Sequence, residues 1–186
     1  SLFGYAIKND LVPPEFINPA TGIEKFREEK RDTWVTPEML PRLAESIDQE
    51  ENIYMRTAFW LLLLTGLRKN EALTLQWDNI DFTRNIVHIP ITKNGRMHEL
   101  PLSTPAVDLL NKLPRVMGNK YVFPGERFGE HLVNIDKCWQ RIRARAGFPN
   151  VRIHDLRRTL GSWLATDGKS LLLIGKILNH AHQSTT

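Results

Sequence analysis

Apolar residues along this chain recur mostly at helical spacing, and one short stretch switches to strict alternation. In "VTPEMLPRLAESI", Thr36 is placed as an N-cap, with Pro37 at the first helical position and Glu38 near the positive helix end. A second helix is predicted from about Asn52 to Leu64, stopping at Thr65-Gly66, where Gly66 suits a left-handed cap. A third, short helix opens around Arg68 and carries Glu71, Ala72 and Leu73. The period then changes: Val87, Ile89 and Ile91 alternate with their neighbours, and Asn94-Gly95 is a strong hairpin signal. This predicts a two- or three-stranded antiparallel sheet, with Lys93 just before the turn and His88 facing His98 across the strands. Helices are expected again over Thr104–Leu113, Glu130–Ala146, Ile153–Thr166 and Ser170–Leu178. The fold class is therefore α+β, mainly helical, with a small antiparallel sheet inserted near the N-terminal third. Trp60, Trp77, Trp139 and Trp163 fit core packing better than base stacking.

Composition narrows this picture without redirecting it. A chain of 186 residues with 41% hydrophobic and 25% charged residues can bury one sizeable core. The longest apolar run, Ala58 to Leu64, is too short to span a bilayer, and nothing at the start resembles a signal peptide. Cys138 is the only cysteine, which points to a reducing, cytoplasmic setting and to a packed thiol without redox function. The opening stretch lacks an initiator Met and carries Pro13, Pro14 and Pro19. Residues 1–30 are expected to be a connector from an upstream domain, and residues 31–186 the main domain.

Charge is unevenly distributed around a net +4. Between Glu24 and Glu51 nine acids stand against five bases, whereas Lys137 to Arg158 holds seven bases against Asp155 alone. Such asymmetry suggests a polyanion on one face, with nucleic acid the commonest candidate. Several polar positions are not required by the local pattern. Arg68 sits at a helix start, where the dipole favours a neutral or acidic residue, and Glu71 lies three residues on along the same face. Lys93 occupies a hairpin shoulder. His154 and Arg157, spaced i, i+3, project from one side of a helix whose other side carries Leu156, Leu160, Trp163 and Leu164. His180 follows the last helix. Taken singly, each has a plain structural alternative: a surface salt bridge for Arg68, a hairpin residue for Lys93, a capping or core histidine for His154. His180 and His182 are a weak metal pair without a nearby Cys or acid, so no metal and no other cofactor is expected.

Taken together, these boxes resemble the tyrosine recombinase (phage integrase) family. "TGLRKNEAL" is similar to the family's first arginine box, "TKNGRMHELPLS" to its lysine hairpin and "HDLRRT" to its second box. "LNHAHQSTT" resembles the third box, and "INPATGIEKF" the connector to the N-terminal DNA-gripping domain. The resemblance covers the chain from about Arg31 onward, in the family's order, and implies the integrase-like catalytic fold. It also implies site-specific DNA recombination, as in integration by a phage or mobile element, through a 3′-phosphotyrosine intermediate. Arg68 and Arg157 would clamp the non-bridging oxygens of one scissile phosphate, since planar guanidiniums bind phosphate bidentately and can replace a metal's charge. Lys93 would be the general acid for the departing 5′ oxygen, and His154 would assist proton transfer or orient the phosphate. His180 would donate to a non-bridging oxygen, Glu71 would support Arg68, and Arg96, Arg152 and Arg158 would contact the DNA backbone.

Two departures bear on this reading. Asn179 stands where the family usually has Gly, although Asn tolerates a left-handed cap. The nucleophilic tyrosine would fall nine residues after His180, three beyond Thr186, while Tyr5, Tyr54 and Tyr121 match no nucleophile box. The chain is thus expected to bind double-stranded DNA without cleaving it. It is expected to be a monomer alone, and part of a homotetramer in a synaptic complex. The alternative is a non-catalytic DNA-binding remnant of an integrase. A type IB topoisomerase uses a similar residue set, but the "HDLRRT" box and the short connectors speak against it.

Overall fold

A computed structural model describes residues 2–23, 33–90 and 97–179. The chain divides into two compact units, Ser1–Asp32 and Thr33–Thr186. The first contains helix α1 (Leu2–Lys8), none of whose residues is buried, and a stacked Phe3–Phe16 ring pair with centroids 6.0 Å apart. The prolines that suggest an irregular connector all lie after this helix, so the pattern did not foretell it.

The second unit is assembled around α3 (Ile53–Thr65). Asn52 caps its start by accepting from the amides of Tyr54 and Met55, and Gly66 ends it with φ of 65°. Ala58, Phe59, Leu61, Leu62 and Leu63 are all buried, as expected of a helix apolar on every side. Around it pack α2 (Leu40–Asp48), the short α4 (Lys69–Leu73), α5 (Thr104–Asn111) and α7 (Ile153–Thr166). Helix α6 (Asp136–Arg145) lies on α2, and α8 (Leu171–Ile177), capped by the Ser170 hydroxyl, lies on α7. Trp77 and Trp139 belong to the core, while Trp60 and Trp163 pack against it.

Three short strands, β1 (Ile80–Asp81), β2 (Ile86–Ile89) and β3 (His98–Pro101), form an antiparallel sheet in that order. The architecture is mainly helical with a small antiparallel sheet, as the hydrophobic pattern predicts. The register differs from expectation by one residue. Val87 opposes Leu100 because both belong to the buried face, which places His88 opposite Glu99 and His98 opposite Ile89. His88 therefore pairs with Glu99 on the outer face, Nδ1 to Oε1 at 3.5 Å, and His98 is turned inward.

Two helix starts also shift. Thr36 opens a turn, with its carbonyl accepting from the amides of Met39 and Leu40, and the helix proper begins only at Leu40 with Pro41. The predicted helix from Glu130 starts six residues later. The backbone of Glu130 and Leu132 pairs instead with Gly125 and Phe123, and Asn134 accepts from the Asp136 amide to begin α6. Long-range pairing of a loop backbone is invisible to a helical period.

Candidate active site

The sharp corner between α3 and α4 sets the position of Arg68. Gly66 adopts a left-handed conformation there, and a Cβ at that point would sit 2.7 Å from Leu178 Cδ2 and 3.0 Å from Leu160 Cδ2. Arg68, at the N-cap of α4, is held twice by Glu71. Its amide donates to Oε2 at 2.8 Å and its Nη1 to Oε1 at 2.6 Å. The guanidinium's other end donates to the Asn179 carbonyl at 3.4 Å, just past α8.

Arg157 comes from α7, 91 residues from the atom it touches: its Nη1 donates to the Gly66 carbonyl. Only Leu67 separates Gly66 from Arg68, and Arg157 feels the Arg68 charge, so two guanidiniums far apart in the sequence lie near one another. Arg157 is 6% exposed, and its Nη2 is buried with no hydrogen-bond partner among the described residues. Burial first, then the Arg68 charge, pushes its pKa down to about 10, against the opposing pull of Glu71. The side chain remains charged at neutral pH. Among the described residues, Arg157 is thus a buried cation with one N–H unengaged and a like charge beside it, an arrangement that favours an anion.

His154, one turn before Arg157, keeps an exposed edge, and its pKa is held below the ordinary imidazole value. Partial desolvation is the largest cause, followed by the positive charges of Arg157 and Arg158, with Asp155 opposing them and Arg68 adding to them. His154 is thus the neutral imidazole at pH 7, fit to accept a proton or a hydrogen bond. His154 and Arg157 also line a cavity of about 450 Å³ whose walls include Lys69, Asp136, Arg143 and Arg152. Lys69 Nζ is pinned by Asp136 Oδ2 at 2.8 Å, and Arg143 Nη1 donates to the Val151 carbonyl at 3.3 Å.

Of the other expected site residues, Arg152 and Arg158 lie exposed near the start of α7. Arg152 serves as N-cap, its amide bonded to Asp155 Oδ2 at 2.8 Å, and Arg158 Nη1 is 3.9 Å from Asp155 Oδ1. Lys93, Arg96 and His180 lie outside the described residues. Among the described residues no group of three or more His, Cys, Asp or Glu side chains converges on a possible metal position. None of their helices is long and apolar enough to cross a membrane.

One residue that the motifs do not single out belongs to this neighbourhood. His98 on β3 lies close enough to Glu71, Arg157 and Arg68 to feel their charges, and its Nε2 is 3.1 Å from the Ile177 carbonyl. The expected register turns attention to its pairing with His88; only the observed one directs it inward.

The model of the phage integrase family matches residues 33–186. The shufflon-specific DNA recombinase of Escherichia coli is 31% identical over 59% of this chain and 27% of its own length. Prophage integrase IntZ of Escherichia coli (strain K12) is 26% identical over 90% of this chain and 42% of its own. Among solved structures, the XerH site-specific recombinase bound to palindromic difH substrate, in a post-cleavage complex, superposes with a TM-score of 0.72. It is 25% identical over 84% of this chain and 48% of that one. The chain thus spans less than half the length of these relatives.

Proposed function

The chain belongs to the phage integrase family, and from that premise we propose that Arg68 and Arg157 form a clamp for one scissile phosphate of double-stranded DNA. The observation that carries this reading is the buried Nη2 of Arg157, without a partner among the described residues, beside a second guanidinium already paired with the Glu71 carboxylate. In-line attack by a tyrosine oxygen forms a bond to phosphorus and breaks the bond to the 5′ oxygen, which departs as a hydroxyl. Negative charge grows meanwhile on the two non-bridging oxygens. Donors fixed beforehand stabilise that charge without reorganising, and losing one such donor costs roughly 3–4 kcal/mol of transition-state stabilisation. Neutral His154 accepts the nucleophile's proton or orients the phosphate. Lys93 supplies the proton for the 5′ oxygen, His180 donates to the phosphate, and Glu71 positions Arg68. The 3′-phosphotyrosine keeps the bond energy, so the 5′ hydroxyl of another strand can reseal it in the reverse step.

Arg152, Arg158 and Arg96 add contacts to the DNA backbone, giving an affinity that falls steeply with salt. The reaction is assigned to a homotetramer on two duplexes in the cytoplasm, with the 186-residue chain monomeric by itself. That chain is proposed to bind DNA without cutting it. The Tyr54 hydroxyl is committed to the Pro114 carbonyl, and the Tyr121 ring is set edge-on to His131. The test is incubation of the protein, carrying a tyrosine nine residues past His180, with a nicked suicide duplex. A covalent adduct that disappears in Arg157→Ala is expected. Tight DNA binding with no adduct would leave the non-catalytic remnant as the better reading.

A further inference from the structure

Residues Ile177 to Asn179 are gripped three ways, and the grips come from different parts of the fold. The Leu178 side chain fits a notch left open by two glycines: a Cβ on Gly66 would lie 2.7 Å from it, and one on Gly161 3.2 Å. The Asn179 carbonyl accepts from Arg68 Nη2. The Ile177 carbonyl faces His98 Nε2 at 3.1 Å. A carbonyl can only accept, so Nε2 carries the hydrogen, whatever the state of Nδ1. This bond satisfies one of the end-of-helix acceptors that α8 leaves without an intrahelical donor.

Helix α8 needs such anchoring. Only Ile174 within it is buried, while Leu171, Leu172 and Leu173 stand exposed, so apolar packing alone holds it weakly. Immediately after its end Asn179 turns left-handed at φ of 50°, and the next residue is His180. His98, for its part, begins β3, five residues on from Lys93, and is anchored by pairing with Ile89.

We infer that His98 is a positioning residue: it ties the first residue of β3 to the last turn of α8, and so fixes the Asn179 carbonyl against Arg68. It does not touch the phosphate. Its effect reaches the clamp through Arg68, whose Nη2 would otherwise lose the carbonyl that orients it. The groups facing His98 are Glu71 and Arg68 at the α4 corner, Arg157 on α7 and the Ile177 carbonyl of α8. The inference rests on the phosphate-clamp reading for its functional consequence, but its structural half stands separately.

Both halves can be measured on the chain itself. Amide hydrogen exchange should rise at least tenfold over residues 171–179 in His98→Ala, with α3 and α6 unchanged. Anisotropy should show weaker binding of a short duplex of arbitrary sequence, by several-fold. His98→Gln, which retains a side-chain N–H donor, should recover much of both losses. Unchanged exchange over 171–179 in His98→Ala would overturn the inference. So would a rise spread over the whole unit that Gln does not reverse, since that marks ordinary destabilisation. Arg68→Ala and Arg157→Ala serve as the separate control. If neither weakens duplex binding, the phosphate clamp fails, whatever His98 does to exchange.

Discussion

Two groups of arginines link distant helices of this unit, and among the described residues only one of them has all its buried polar groups paired. Between α2 and α6, the Glu50 carboxylate, 7% exposed, takes Arg141 Nη2 on both oxygens at 3.2 Å. Arg145 donates to the Ser46 hydroxyl at 3.0 Å and to its carbonyl, and the Ser46 hydroxyl donates to the Ile142 carbonyl at 2.7 Å. Nearby, burial and Glu50 push the Cys138 thiol up to about 12, so it is unreactive at neutral pH. In the α3–α4–α7 corner, Glu71 is engaged with Arg68, and Arg157 keeps a buried N–H without a partner among the described residues. Both groups join distant helices. The first leaves none of its buried side-chain polar atoms unpaired, and the second leaves capacity for a ligand. Net charge does not distinguish them; unspent hydrogen-bonding capacity does.

The largest expected effect is on Arg157. Arg157→Lys keeps the charge and removes the planar fork, so single-turnover cleavage by the tyrosine-bearing protein should fall by ~10²–10³-fold. A rate within a few-fold of the parent would dissolve the contrast between the two clusters. Gly66→Ala comes next. It places a Cβ against Leu178 and Leu160 at a left-handed φ, which should cost about 2 kcal/mol in urea unfolding. DNA binding should weaken as well, because the same corner holds Arg68. Glu50→Gln should lower stability by about 1 kcal/mol, as water can still solvate the largely exposed Arg141, and should leave duplex affinity unchanged. A loss of affinity there would show that the saturated cluster also serves binding.

The smallest effect is on pH dependence. His98 and His154 both have folded pKa values below 6.5, so the unfolded chain takes up protons first as the solution is acidified. Their contribution is fully present above the unfolded value and is lost as pH falls through the folded values. The unfolding midpoint should therefore decline below about pH 6.5. His154→Asn should flatten that decline, and Glu50→Gln should not. An unchanged slope in His154→Asn would show that this imidazole is not desolvated by its neighbours.

The first candidate pair is legible in sequence because it is local. Arg68 and Glu71 share a helical face at i, i+3, and their ion pair follows from spacing. Gly66 as a left-handed cap and Asn52 as an N-cap are likewise short-range facts. Arg157 is legible as a polar residue with no local reason to be there, but its acceptor, 91 residues away, is not. Alternation predicts His88 as the partner of His98, but register depends on which residues of β3 face the core, and alternation around one turn leaves that choice open. The late start of α6 has the same origin: Gly125 and Phe123 compete for the backbone of 130–132 from outside the window in which a helical period is judged.

By itself, the order of side chains along the chain determined most helices of the second unit, the caps at Asn52 and Gly66 and the alternating strands. It also determined that arginines stand where a helix does not call for them, because all of these depend on neighbours within one or two turns. Tertiary packing alone decided that Arg157 loses its water beside Arg68, that one of its N–H groups has no partner among the described residues, and that His98 reaches α8. Those are consequences of burial and of hydrogen bonds between residues about 80 to 110 positions apart, and no local pattern contains them.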